Sequence, residues 1–170
     1  MEARAIHVKG LEPAGYDPRQ LKGMGLAYAI SDRGACHLRT TFYKPELSGM
    51  IPPAEIEGKA AMLIDFEDRA TIFDTLIFCR FFRDFYLWDE LRTIVKVTVG
   101  LDWSREELQG LAAGVADLVR SYNVREGVTE ADDTLPRRFF TEPLPETGSV
   151  MKPADFARLK SDYYRLRGWK

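Results

Sequence analysis

Cysteine and histidine are scarce in this chain: 170 residues hold two of each, Cys36 and Cys79, His7 and His37. Two thiols cannot build the multi-bridge framework of a small secreted domain, so each is either a buried thiol or a functional one. Long apolar runs are missing too. No stretch approaches the roughly 18 to 20 residues that span a bilayer, and the opening MEARAIHVKG lacks the basic-then-apolar order of a signal peptide. The expected location is therefore the cytoplasm, with no membrane partner. Neither sign of charge is in large excess, and a formal net charge of -2 gives no reason to expect nucleic acid. There is no Walker-type loop, GxGxxG, HExxH or CxxC pair, and no internal repeat or low-complexity segment.

What is present fits a helical domain. Hydrophobic residues at 45% and charged residues at 29% are ordinary for a globular chain, and one of this length buries on the order of two-thirds of its unfolded surface. Ile6 and Val8 alternate with polar neighbours and predict one short strand ending at Gly10. Leu21, Met24, Leu26, Tyr28, Ala29 and Ile30 predict a helix over about 19–32, where Gly23 and Gly25 would admit another backbone or a flat ligand. Residues 54–86 read as one long helix or two with a break. LWDELRTIVKVTVG is helical or strand-like because of its β-branched end. After it, Ser104 and Glu107 form a capping box for a helix whose buried face is Leu108, Leu111, Val115, Leu118, Val119 and Tyr122. PADFARLKSDYYRLRGW closes the chain as a helix with Pro153 in its first turn. The fold class expected is mainly α: an irregular multi-helix domain over 1–170, with long loops and at most one or two short strands.

Three places could carry chemistry, each with a plain structural reading beside it. Cys36 adjoins His37, yet neighbouring residues diverge in direction, so Cys36 reads as a small buried thiol and His37 as a structural histidine or a proton carrier. A Cys/His hydrolase would require His37 or His7 to reach a thiol. Cys79 sits in FDTLIFCRFFRDFY, either as a core thiol or as a thiolate favoured by Arg80 and Arg83. Phe78, Phe81, Phe82, Phe85 and Tyr86 fill the core or wall an apolar channel. Asp74, within the same apolar run, needs partners to offset its desolvation. The clustered acids of EADDTLPRR could form a cation site, but Arg137 and Arg138 follow directly, so they read as a solvated turn with internal ion pairs.

Taken together, VKGLEPAGYDPR, KGMGLAYAISDRGACHL, DTLIFC, YNVREG, DDTLPRRFFTEPLP and YYRLRGW resemble the C-terminal domain of the aldehyde:ferredoxin oxidoreductase family over nearly the whole chain. The resemblance implies a tungsten or molybdenum bis-pterin and a [4Fe-4S] cluster, aldehyde oxidation to a carboxylic acid, and ferredoxin as electron acceptor. It gives Cys79 the role of cluster ligand, places Asp74 and the following Phe78 against a pterin, and puts His37 near the metal as acid or base. Ile77 stands where the family usually has glycine, and Phe78 where it has leucine. The family's N-terminal and middle domains, with three further cluster cysteines, lie outside these residues. The resemblance thus implies partner domains and an isolated chain that binds no cofactor and is inactive. The alternative is a helical interaction module or subunit that keeps the scaffold without the cofactor.

Overall fold

A computed structural model describes residues 5–169. The helices are α1 (Lys22–Ile30), α2 (Tyr43–Leu47), α3 (Lys59–Thr75), α4 (Trp88–Val99), α5 (Arg105–Arg125), α6 (Arg138–Thr141) and α7 (Pro153–Arg167), with 3-10 turns at Arg80–Phe82 and Glu130–Asp132. The mainly helical expectation holds, but the strand at Ile6 to Val8 does not form. Val8 and Leu11 instead exchange backbone hydrogen bonds of 3.0 Å across a tight turn. Lys9 and Gly10 hold that turn at φ 49° and 83°, the paired left-handed geometry that folds a chain back on itself.

α1 has no side-chain cap of its own. Its first free amides, those of Gly23 and Met24, donate to the Glu46 carboxylate of α2 at 2.8 and 3.0 Å. The positive end of the helix thus meets a carboxylate borrowed from another element. Lys59 at the start of α3 donates to the same carboxylate at 2.7 Å and to the Pro52 carbonyl at 3.0 Å, and both side chains of the ion pair are completely buried. Desolvation pushes the Glu46 carboxyl upward, and Lys59 and the two amides pull it back. Gly23 and Gly25 serve this packing rather than a ligand. A Cβ on Gly23 would lie 2.2 Å from the Phe42 ring, and one on Gly25 would lie 2.6 Å from the end of Met151.

α1, α3 and α7 enclose the main core, in which Leu26, Leu63 and Leu159 are fully buried. Pro153 occupies the first turn of α7, and Gly168 ends it at φ 70° with the Trp169 amide returning to the Tyr164 carbonyl at 2.9 Å. Trp169 then meets Tyr163 and Tyr164 edge-to-face. This is the local reason for YYRLRGW: two aromatic rings, a glycine free to turn left-handed, and a third ring that closes over them. Arg167 reaches Glu67 and Asp68 on α3 at 2.6 and 2.7 Å.

The acids of EADDTLPRR are not all solvated. Asp133 is fully buried, 2.5 Å from Lys9 and 2.9 Å from Arg120, and it accepts from the Tyr164 hydroxyl. Its partners come from distant elements and not from Arg137 or Arg138, because a carboxylate this deep requires charged donors that the core can bring to it.

A second, smaller core joins the C-terminal end of α3 to α4 and α5 through Ile72, Phe73, Trp88, Leu91, Val95, Leu108 and Ala112. The ambiguous segment is helical: the Leu87 amide donates to Glu90 at 2.9 Å, and Gly100 ends α4 at φ 80°. α5 starts with the expected capping box, Ser104 and Glu107 each accepting from the other's amide. Of the six residues of its expected buried face, only Leu108 is buried. Leu118 is 71% and Tyr122 55% exposed, and Val115 and Val119 line a cleft. Beyond Ala112 that cleft opens between α5 and α3, so Val115 and Val119 stay only partly buried along its wall. No helix among the described residues is long and apolar enough to cross a membrane.

Candidate functional site

Two irregular segments carry the residues singled out from sequence: the loop after α1 and the turn after α3. Lys9 fixes the first, its ammonium donating to the Ala29 and Ser31 carbonyls at 2.8 and 2.9 Å, where the C-terminal end of α1 favours a cation. Gly34 takes φ 97°, and a Cβ there would lie 2.1 Å from the Val8 carbonyl oxygen. That close approach explains the glycine in RGACH. Cys36 is buried, and its sulfur accepts from Arg33 at 2.9 Å and from the Leu38 amide at 3.4 Å. His7 Nδ1 accepts from the Gly10 amide at 3.2 Å. No histidine–thiol hydrogen bond occurs among the described residues, and the hydrolase reading has no pair to rest on.

His37 is half-buried beside two phenol rings. Tyr16 and Tyr43 stack at 3.9 Å, and the imidazole lies 5.9 Å from the first ring and 6.4 Å from the second. Burial lowers the pKa of His37, and the positive charges of Arg83 and Arg33 lower it further. Its resting form at neutral pH is a neutral imidazole that can accept a proton.

The second segment ends α3 in a Schellman turn. The Phe78 amide bonds the Phe73 carbonyl and the Ile77 amide bonds the Asp74 carbonyl, each at 3.0 Å, while the Phe73 and Phe78 rings meet edge-to-face at 5.3 Å. Ile77 occupies the left-handed position of this turn at φ 58° with its side chain 91% exposed. Glycine is the usual residue there, and a β-branched side chain in that conformation is strained. The backbone shape that a glycine would give is kept by isoleucine. Phe78 points into the small core against Phe73 and Tyr86.

The core expected from Phe81, Phe82 and Phe85 is not observed. Phe81 is 85% and Phe85 72% exposed, Phe82 is exposed as well, and Cys79 is an exposed thiol rather than a core one. The short 3-10 turn at Arg80–Phe82 offers too little backbone to carry three rings into one core.

Arginines join the two segments. Asp74 accepts from Arg80 Nε at 2.9 Å and from Arg39 Nη1 at 3.0 Å, and Arg39 also forks onto Asp32 with two bonds of 2.9 Å. Arg83 donates to the Arg80 carbonyl at 2.7 Å and to the Tyr43 hydroxyl at 3.2 Å. Asp74 and Cys79 therefore flank one turn, and His37 lies on a neighbouring loop tied to it through Arg39, while Arg83 ties the same segment to Tyr43 of α2. Beside Asp74 opens a cleft of about 210 Å³ lined in part by Lys9, Asp32, Arg39, Arg80 and Asn123. His37 and Cys79 do not line it. No group of three or more His, Cys, Asp or Glu able to hold a metal occurs among the described residues, so Cys79 is a lone thiol on this chain's surface. The sequence reading missed Arg39, Tyr16 and Tyr43 and took Arg83 only as a cation near Cys79. Its one available signal was the interleaving of arginine with aromatic residues in CRFFRDFY, after α3.

Residues 1–170 match the family described as "Aldehyde ferredoxin oxidoreductase, domains 2 & 3". The chain is 34% identical to tungsten-containing aldehyde ferredoxin oxidoreductases of Pyrococcus furiosus and of Thermococcus kodakarensis, over 97% of its own length and 28% of theirs. It is 32% identical to the enzyme of that name from Pyrococcus abyssi over 95% of its length. The chain thus spans about 28% of the length of the curated relatives it matches.

Proposed function

Because the chain belongs to the aldehyde ferredoxin oxidoreductase family, we propose that it is a single C-terminal domain forming one wall of a tungsten- or molybdenum-pterin redox centre. The rest of the cytoplasmic enzyme, its N-terminal and middle domains, forms the other walls, and ferredoxin takes the electrons. When bound, the bis-pterin and [4Fe-4S] groups supply oxidation of an aldehyde to a carboxylic acid, with water as the oxygen source.

The residues of this chain fit that role in a graded way. Cys79 is an exposed thiol just before a 3-10 turn, suited to give one of the four thiolates a cluster needs, with the other three coming from outside the chain. Asp74 Oδ1 accepts one hydrogen bond and its side chain is 40% exposed, which leaves acceptor capacity for the N–H edge of a heterocycle. The backbone of Phe78 follows at the turn that ends α3. Ile77, unlike a glycine, adds an exposed branched side chain at that turn, which limits close approach to the backbone. His37, neutral and half-buried, accepts a proton from water or returns one to a product oxygen. Lacking the other three thiolates, the isolated chain holds no cluster and does not turn over.

One observation carries this reading: Asp74, which flanks the same turn as Cys79, is tied through Arg39 to the His37 loop. The test is to assemble the chain with the remaining family domains and measure iron and tungsten or molybdenum by elemental analysis. The complex with unaltered Cys79 should hold a cluster and the Cys79→Ala complex should lose it. A cluster unchanged by the substitution overturns the Cys79 assignment. A second reading, a cofactor-free interaction module, draws on the exposure of Ile77, Phe81 and Phe85. It expects sedimentation to show self-association of the free chain that Phe81→Ser and Phe85→Ser abolish.

A further inference from the structure

His37 needs a fixed orientation as well as the right charge state, and its own side chain has no hydrogen bond to a protein group among those described. Its neighbours supply both. Tyr16 from the preceding loop and Tyr43 from α2 form the ring stack beside it, and Arg33 and Arg83 are the cations that act on it. Of these groups Arg83 belongs to the segment that carries Cys79, and Tyr43 reaches that segment through it.

Arg83 spreads its guanidinium between two segments. One nitrogen donates to the Tyr43 hydroxyl at 3.2 Å and the other to the Arg80 carbonyl at 2.7 Å, one residue from Cys79. Its Nε is buried with no hydrogen-bond partner among the described residues. A planar fork holds two acceptors in fixed relation, whereas a lysine ammonium on a flexible stem does not. Releasing Tyr43 would free the ring stack, because the phenol oxygen is the end of the ring that Arg83 holds.

We propose that Arg83 is a positioning residue for His37, locking the Tyr16–Tyr43 stack beside the imidazole and coupling it to the Cys79 turn. This rests on the reading of His37 as the proton-handling group. Arg83 touches no reacting atom. Its work is to keep the imidazole in one orientation and next to a positive charge, so that a shift of the Cys79 turn is felt at His37. The burial of His37 is the larger cause of its lowered pKa and Arg83 the next, so loss of Arg83 should move the titration partway back.

The test uses the 170-residue chain alone, without metal, so its outcome is separate from the fate of the redox reading. In a His7→Gln background, proton NMR follows the single remaining imidazole through a pH titration, and nuclear Overhauser contacts report the His37–Tyr43 distance. Arg83→Met should weaken those contacts and raise the His37 pKa, a roughly three- to tenfold change in its acid constant, as expected of one partly screened cation. Arg83→Lys keeps the charge but not the fork. It should hold the titration near that of the parent and still loosen the Tyr43 contact, and it serves where the methionine variant fails to fold. An unchanged titration in a folded Arg83→Met chain, or unchanged His37–Tyr43 contacts in Arg83→Lys, overturns the proposal.

Discussion

The two cores of this molecule are built on different terms. Around α1, α3 and α7, charges are buried in matched sets: Glu46 with Lys59, Asp133 with Lys9 and Arg120, and Arg167 with Glu67 and Asp68. Around α4 and α5 the core is a small set of apolar side chains, and the segment leading into it turns Phe81 and Phe85 outward. A buried ion pair adds little net stability over apolar residues of the same shape, but it makes loss of either partner costly. The first region is therefore narrowly specified. The second is thin and carries its reactive groups at the surface, where they are open to something outside this chain.

The sharpest way to break the contrast is Lys59→Met. It strands the Glu46 carboxylate in an apolar site and should cost about 3–5 kcal/mol in guanidinium chloride unfolding. A cost below about 1 kcal/mol would mean that the two regions tolerate damage alike. Asp68 offers a pH version of the same test. Burial pushes its carboxyl up to about 6, against the pull of Arg167. Because the folded value lies above the unfolded one, the stabilisation is complete below about pH 4 and is lost as pH rises through 6. The two-unit gap corresponds to about 3 kcal/mol, and Asp68→Asn should flatten that fall when unfolding midpoints are compared from pH 4 to 7. In the second region, Ile77→Gly relieves a left-handed isoleucine. After the added freedom of the unfolded chain is subtracted, it should stabilise by roughly 0.5–1 kcal/mol, read as a higher midpoint. Phe81→Ser should change stability by no more than about 0.5 kcal/mol, since the ring is already exposed.

Local signals were legible in the sequence where the chain satisfies itself. Ser104 and Glu107 mark the start of α5 because each side chain answers the other's amide within one turn. Pro153 marks α7 for the same kind of reason. The failures share a cause. Alternation at Ile6 and Val8 suggests a strand, but Lys9 bonds to the end of α1 and draws the backbone into a tight turn. An apolar stripe on α5 suggests burial, yet periodicity cannot say how closely the neighbouring helix packs, and past Ala112 a cleft lies between α5 and α3. The charged hubs were invisible because their members come from separate elements. At the site, Asp74 and Cys79 are five residues apart and naturally flank one turn. The arginines that tie them to the His37 loop and to Tyr43 act across loops, and no spacing rule encodes that.

Asp133 has a kinetic consequence. Its partners are recruited from near the start of the chain, from α5 and from α7, so its desolvation is compensated only once those parts have met. Most of the loop-closure entropy is then spent before this contact gives anything back. Such a chain should cross its folding barrier slowly and late, with α5 able to flicker into helix much earlier than the last turn of α7 finds its place.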